Sequence, residues 1–358
     1  MSSVIDRCLE RGILPDPFIR IGIRRLLRQR LRDEQADDPE ASAHRLTEWL
    51  RQCDASEVAI SVEAANEQHY EVPAQFFERV LGKYGKYSSG LWTQPTDTLD
   101  SAEAKMLAKT CERAEIVDGM RILDLGCGWG SFSLWAAEHY PNSQIVGVSN
   151  SASQREHILQ VAKGRGLKNI EIITQDVNKL TLEVTKETPF DRIVSIEMME
   201  HTRNWRQLLR RAAYWLKPEG KMFIHVFTHR TVGYEFTSRS DSDWMAKHFF
   251  TGGQMPADSQ LLHYQEDFHV ESHWRVNGQH YQKTAEAWLR NLDANREEVT
   301  TILRGPYGDD AKKMTNLWRV FFLSCAELWG FDKGREWLVS HYLLQPRRGL
   351  SETTRVNA

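Results

Sequence analysis

The apolar positions of this chain follow two different periods. Over residues 1–60 they recur at helical spacing among many charges, which predicts helices buried along one face. Residues 16–32, DPFIRIGIRRLLRQRLR, form a basic amphipathic segment, and residues 37–42, DDPEAS, read as a linker. Residues 66–90 are mixed and aromatic. From about residue 100 the pattern alternates. Helical spacing covers 102–114, 131–139, 153–165 and 205–216. Short apolar, largely β-branched runs predict strands at 121–125, 144–148, 171–174, 192–196 and 221–227. This rhythm implies a mostly parallel α/β sheet with helices on both faces and a ligand beyond the carboxyl ends of the strands. The rhythm breaks at 230–300, where Thr251-Gly-Gly-Gln-Met-Pro256 is loop chemistry and 284–304 is helical, so an inserted cap is expected. A strongly apolar helix at 318–329 and a closing strand at 337–344 complete the chain. The expected division is a helical N-terminal extension (1–60), a core with a lid at its start (61–230), a substrate cap (231–310), a C-terminal helix and closing strand (311–346) and a tail (347–358).

Composition narrows the function classes. With 46 basic and 49 acidic residues in 358, no overall field favours nucleic acid. Five scattered cysteines, with no C-x-x-C pair, suggest neither a disulfide framework nor a zinc site. The start Met-Ser-Ser-Val-Ile-Asp lacks the charged and apolar regions of a signal peptide, and no apolar run approaches the roughly 18 residues of a membrane span. A cytoplasmic protein is expected. The basic segment 16–32 could lie on a membrane surface. The stronger reading is a solvated arginine face over an ordinary packed helix, docked on this chain or on a second copy in a homodimer. Twelve tryptophans favour aromatic walls around a site, although such residues more often fill cores.

The richest stretch is Arg121-Ile-Leu-Asp-Leu-Gly-Cys-Gly-Trp-Gly130: a buried strand running into a glycine turn, followed by a helix. Glycines 126, 128 and 130 let a ligand approach bare main chain, and the amides opening the next helix face the same place. The dinucleotide fingerprint is G-x-G-x-x-G; here the third glycine comes one residue early. That spacing, with Asp124 at the strand end, resembles the first motif of S-adenosylmethionine-dependent methyltransferases. Further blocks extend the likeness: Cys111-Glu-Arg-Ala, Ser195-Ile-Glu-Met-Met-Glu-His201, Phe249-Phe-Thr-Gly-Gly-Gln-Met-Pro256, Val276-Asn-Gly-Gln-His-Tyr281 and Trp318-Arg-Val-Phe-Phe322. Together they resemble the plant coclaurine-type N-methyltransferases, within the cyclopropane-fatty-acid-synthase-like group, over about residues 60–345.

The resemblance implies a class I, Rossmann-like methyltransferase fold with a helical N-terminal region and an inserted helical cap. It also implies a cofactor, S-adenosyl-L-methionine, with S-adenosyl-L-homocysteine as its product. Tyr87 and Ser88 would close over the methionine part, and Asp124, Gly126, Gly128 and Gly130 would line the glycine turn. Ser149, Asn150 and Gln154 would hold the ribose in place of the acidic residue that many methyltransferases carry there. Asp176 and Val177 would bound the adenine, though Asp176 reads equally as a turn residue.

Methyl transfer to nitrogen needs a free lone pair aimed at the donor methyl, and an aliphatic amine is protonated near neutral pH. Glu197-Met-Met-Glu200-His201 offers two carboxylates and an imidazole just past the fourth strand. A helical turn would put 197, 200 and 201 on one face. By resemblance Glu200 and His201 remove the proton and orient the amine, with Glu197 as electrostatic partner. The competing reading is a helix N-terminus with acids favouring the dipole. Phe250, Trp318, Phe321 and Phe322 are candidate aromatic walls for a cationic ring-bearing amine. Histidines 263, 269, 273 and 280 match no metal-ligand spacing, and no metal is expected.

The second reading is a cyclopropane-fatty-acyl-phospholipid synthase, whose bicarbonate base sits among cysteine, glutamate, histidine and tyrosine. Here Ser89 stands at the cysteine position and Phe321 at the tyrosine position, while Glu200 and His225 remain. A third class is a non-catalytic cofactor-binding or lipid-surface module, against which the Glu200–His201 pair argues. The expected partner is a small-molecule amine, not nucleic acid.

Overall fold

The computed structural model describes residues 4–60, 72–181, 188–236 and 244–347. His69, Tyr70, Glu71 and the tail beyond 347 lie outside them. The N-terminal region forms α1 (Val4–Arg11), α2 (Asp16–Asp33) and α3 (Pro39–Asp54). The expected linker is the start of α3. Asp38 accepts from the amides of Glu40 and Ala41, and Pro39 sits where a missing N–H costs nothing, so the segment is a capped helix end. Next come α4 (Ala74–Val80) and α5 (Leu99–Arg113), the latter opened by a reciprocal Thr98–Ser101 cap.

The alternating region is β1 (Arg121–Leu125), α6 (Ser131–His139), β2 (Gln144–Ser149), α7 (Ala152–Gly164), β3 (Ile170–Thr174), β4 (Phe190–Ile196), α8 (Trp205–Trp215) and β5 (Leu216–His229). The cap region contains β6 (Tyr234–Glu235), α9 (Trp244–His248), β7 (Gln254–Met255), β8 (Phe268–Val276), α10 (Gln279–Ala294) and α11 (Arg296–Tyr307). The chain closes with α12 (Ala311–Gly330) and β9 (Trp337–Pro346). The single helix expected at 284–304 is two, broken at Asn295, whose side-chain amide donates to the carbonyls of Arg79 and Asn291.

Seven strands pair in the order β3-β2-β1-β4-β5-β9-β8. The first five are parallel, and β9 and β8 are antiparallel to their neighbours. This is the mostly parallel Rossmann-like sheet that the sequence predicts. Strand β8 falls within the segment expected as cap. Its sequence, FHVESHWRV, is polar at most positions because it is an edge strand with only its ends deeply buried. Leucines and tryptophans of α3 and α8 cover one sheet face. Leu107, Cys111, Phe132 and Trp135 of α5 and α6 cover the other. A separate aromatic core joins α4, α10, α11 and α12.

The N-terminal helices dock on the same chain. Arg20 of α2 bridges Glu286 (2.7 Å) and Glu327 (2.8 Å), and Arg24 also pairs with Glu327. Among the described residues no helix is long and apolar enough to cross a membrane.

Candidate active site

The strand order reverses between β1 and β4, which opens a crevice at their carboxyl ends. The glycine turn fills its floor. The amides of Gly126 and Cys127 donate to the Val148 carbonyl at 3.1 and 2.9 Å, which binds the turn to β2. Gly126 has φ 86°, and a Cβ there would lie 2.4 Å from the Met198 side chain, so both backbone and space demand glycine. Asp124 is buried, accepts from the Ser133 hydroxyl at 2.6 Å, and is raised by burial to about 7. The Ser131 hydroxyl is buried beside the turn without a partner among the described residues.

Ten of the eleven predicted cofactor residues line this cleft: Tyr87, Ser88, Asp124, Gly126, Gly128, Ser149, Asn150, Gln154, Asp176 and Val177. Gly130 does not. It is the left-handed N-cap of α6 and packs against Ile158 of α7. The hydroxyl of Ser149 donates to Gln154 at 2.6 Å. Asp176 lines the cleft and also caps the turn that follows, accepting from the Asn178 amide, so its two sequence readings coexist.

The 197–201 segment departs from the helical turn expected of it. Glu197 sits in the left-handed region at φ 45°, a costly backbone for glutamate and a conformation concentrated at functional sites. A 3-10 turn follows at Met199–His201. As a result Glu197 and His201 reach the cleft wall while Glu200 points inward, fully buried. No side chain among the described residues hydrogen-bonds the Glu200 carboxyl, which meets only the backbone of Glu200 itself and of Phe227. Burial, and then the charge of Glu197, hold its pKa well above the usual carboxylate range. It stands behind the wall, where burial favours its neutral form, and does not hydrogen-bond His201. The His201 ring lies 4.6 Å from that of Phe250.

Glu197 is the most heavily supported group in the cleft. Its Oε1 accepts from the Ser89 amide (3.0 Å) and contacts His225 Nε2 (3.1 Å), and its Oε2 accepts from the Tyr281 phenol (2.6 Å). Burial raises its pKa, opposed first by Lys86 and then by the Tyr281 and Ser89 hydrogen bonds. Three donors in a buried place suit the ionised carboxylate. Lys86 is itself buried, hydrogen-bonds the Ser88 hydroxyl, and is lowered to about 8 by burial.

The substrate-side expectations divide. Phe250 and Phe321 line the cleft, joined by Phe227, Tyr281 and Trp288. Gly253 makes room for Phe250, since a Cβ there would lie 2.2 Å from its ring. Trp318 and Phe322 do not reach the cleft: both are fully buried, Trp318 against Phe76 and Phe249, and Phe322 against Trp288 and Phe321. His225 also stands behind the wall, on Glu197. Sequence reasoning missed Lys86, Tyr281 and Trp288. Tyr281 ends a recognised block, Val276–Tyr281, but only the fold brings that block to residue 197.

The bicarbonate-pocket reading also changes. The carboxylate beside Ser89 and His225 is Glu197, not Glu200, and a phenol is present after all, from Tyr281. Yet all of these donors face a carboxylate of the chain itself. The Ser89 hydroxyl donates to the Gly90 carbonyl at 3.1 Å. A second anion here would meet the Glu197 charge. Of the histidines set aside as non-ligands, His273 bonds Asp258 at 2.9 Å and His280 accepts from the Trp92 amide at 3.0 Å.

Residues 59–335 match the family model of mycolic acid cyclopropane synthetase. The (S)-coclaurine N-methyltransferase of Thalictrum flavum subsp. glaucum is 36% identical over 347 residues, covering 95% of this chain and 94% of that one. The chain belongs to the coclaurine-type N-methyltransferases of this family. A crystal structure of coclaurine N-methyltransferase bound to N-methylheliamine and SAH superposes with a TM-score of 0.91 at 34% identity, covering 95% of this chain and 98% of that chain. The cyclopropane-fatty-acyl-phospholipid synthase of Escherichia coli (strain K12) is 32% identical over 234 residues, 65% of this chain and 57% of its own. The likeness to the N-methyltransferases thus spans nearly the whole chain, N-terminal helices included, whereas the likeness to the lipid enzyme does not. As a member of this family the protein is an S-adenosylmethionine-dependent methyltransferase acting on nitrogen.

Proposed function

We propose that the acceptor is a small ring-bearing amine of the tetrahydroisoquinoline kind, bound as its cation against Glu197 and the aromatic wall, with His201 taking its proton. The observation that carries this reading is the Glu197 carboxylate on the cleft wall, held by Ser89, His225 and Tyr281 beside Phe250 and Phe321. A buried carboxylate and aromatic faces attract an organic cation, and the carboxylate repels an anion. The related coclaurine N-methyltransferase structure holds N-methylheliamine and SAH.

S-adenosyl-L-methionine supplies an electrophilic methyl on a positive sulfur. The residues present fit it. The partnerless Ser131 hydroxyl and the Asp124 carboxyl suit its amino-acid end, the glycine turn leaves bare main chain, and Ser149, Asn150 and Gln154 offer polar groups for a ribose. Asp176 and Val177 suit the adenine, and Tyr87 and Ser88 line the same cleft. Glu197 orients the amine, and His201 accepts its proton so that a lone pair is exposed. The neutral Glu200 keeps a second full charge out of the wall.

The test is incubation of the protein with methyl-labelled S-adenosylmethionine, a panel of secondary and tertiary amines, and phospholipid vesicles. Label is expected in ring-bearing amines. Label found only in lipid would reverse the proposal in favour of cyclopropanation.

A further inference from the structure

We infer that Arg113, outside the cleft at the end of α5, is a positioning residue that fixes the protonation pattern of the candidate active site through two hydrogen-bonded histidines in series. Four side chains form an unbroken line through the sheet. Arg113 Nη1 lies 2.8 Å from His341 Nδ1 on β9. His341 Nε2 lies 2.9 Å from His225 Nδ1 on β5. His225 Nε2 lies 3.1 Å from Glu197 Oε1. Paired registry of β5 and β9 sets His225 directly opposite His341, and both rings are fully buried.

The direction of every hydrogen in this line follows from its ends. A guanidinium only donates, so His341 Nδ1 must be bare. The His341 proton is then on Nε2 and points to His225 Nδ1, which must accept it. The His225 proton is in turn on Nε2 and points to Glu197, which as a carboxylate only accepts. Each ring is a neutral imidazole in one tautomer. Burial, with the nearby charges of Lys86 and Arg113, disfavours a second proton on either. Arg113 is itself seated over the Trp274 ring, 4.9 Å from its centroid.

The line therefore has a polarity. His225 already carries hydrogen on the nitrogen that faces Glu197, so it cannot take a proton from that carboxylate, and Arg113 at the far end offers no acceptor. The line does not carry a substrate proton outward. It keeps one donor permanently on Glu197 Oε1, which holds the carboxylate in place and ionised. The proton of the amine must leave on the other side of the wall, where His201 stands. This catalytic consequence rests on the amine-methylating reading above, but the tautomers do not.

The experiment is 15N-edited NMR of the histidine rings of the full-length protein, with His225 and His341 assigned by single substitution, alongside kinetics and calorimetry with S-adenosylhomocysteine. Both rings are expected in the Nε2–H tautomer. Arg113→Met should release that pattern and lower kcat about tenfold, as loss of an outer-shell partner does elsewhere, with S-adenosylhomocysteine affinity unchanged. Arg113→Lys, a donor without an acceptor, should restore the tautomers and most of the rate. Nδ1–H on either ring of the wild type would overturn the inference, as would an Arg113→Met protein whose tautomers and kcat are unaltered. If Arg113→Met fails to fold, the wild-type spectrum and Arg113→Lys still decide. If no amine is methylated at all, the proposed substrate class fails while the ring spectra continue to test the line.

Discussion

Glu197 and Glu200 differ by three residues and by opposite environments. One has donors on both carboxyl oxygens; the other has no side-chain partner among the described residues, and burial favours its neutral form. Glu197→Gln is therefore expected to lower kcat/KM for the amine by about 100-fold or more, the usual range for losing a positioned acid–base or charge partner, while product affinity by calorimetry stays within a few-fold. Glu200→Gln replaces a neutral acid by a neutral amide and should cost less than about tenfold on the same scale. Equal losses in the two variants would mean that Glu200 ionises during turnover. Lys86 gives a pH signature. Its folded value, about 8, lies below the roughly 10.4 of a free lysine, so between these pH values the unfolded chain holds a proton that the native chain has lost. Stability therefore rises as pH rises through this window. The penalty of a charged buried ammonium, about 3 kcal/mol from that difference, is present in full below it. Denaturation of wild type and Lys86→Met from about pH 7.5 to 10 should show the wild type gaining on the variant; a flat difference would refute the depressed value.

At the scale of elements, short caps and side-chain bridges aim the site. Glu103 of α5 accepts from the amides of Gly82 and Tyr84, both at 2.9 Å, which orients the loop carrying Lys86, Tyr87 and Ser88. From the other side, the Thr284 hydroxyl of α10 accepts from the Gly90 amide. Helix α3 reaches the 3-10 turn indirectly: the Trp49 indole donates to Gln254, whose amide donates to the Thr202 carbonyl at 2.6 Å. Its own start depends on Asp38. Asp38→Ala should lower unfolding free energy by about 1 kcal/mol in a denaturant titration, with kcat unchanged. No loss of stability would return residues 37–42 to the status of a linker.

For the whole molecule, the N-terminal helices are part of the packed structure. Arg20 is 22% exposed and ties α2 to α10 and α12 through Glu286 and Glu327, the latter only 5% exposed. Arg319 returns the tie from α12 to Asp16 at 2.9 Å. Arg20→Met leaves Glu327 with Arg24 alone and should cost about 1–2 kcal/mol, less than a fully buried pair because Arg20 still meets water. Hydrogen exchange should quicken in α1 and α2 before the central sheet. Unchanged exchange there would show that the ion pairs are incidental.

The sheet was legible because its signals are local. Buried parallel strands read as apolar runs, and the glycine turn reads as a backbone that must take positive φ, so β1 and α6 fall where the pattern puts them, and most positions expected at the cofactor line the cleft. Edge strand β8 was not legible, since an exposed strand has no apolar run to show. Glu200 was misplaced because a helical turn was assumed where Glu197 adopts a left-handed backbone, and rotation about that one residue decides which side chain meets the cleft. Trp318 and Phe322 were misassigned because an all-apolar helix does not reveal which face lines a cavity. Lys86, Tyr281, His225, His341 and Arg113 come from five separate segments, the loop before α5, α10, β5, β9 and the end of α5. Their convergence on one carboxylate depends on strand register and helix docking, and those are set by packing energy between segments far apart in sequence.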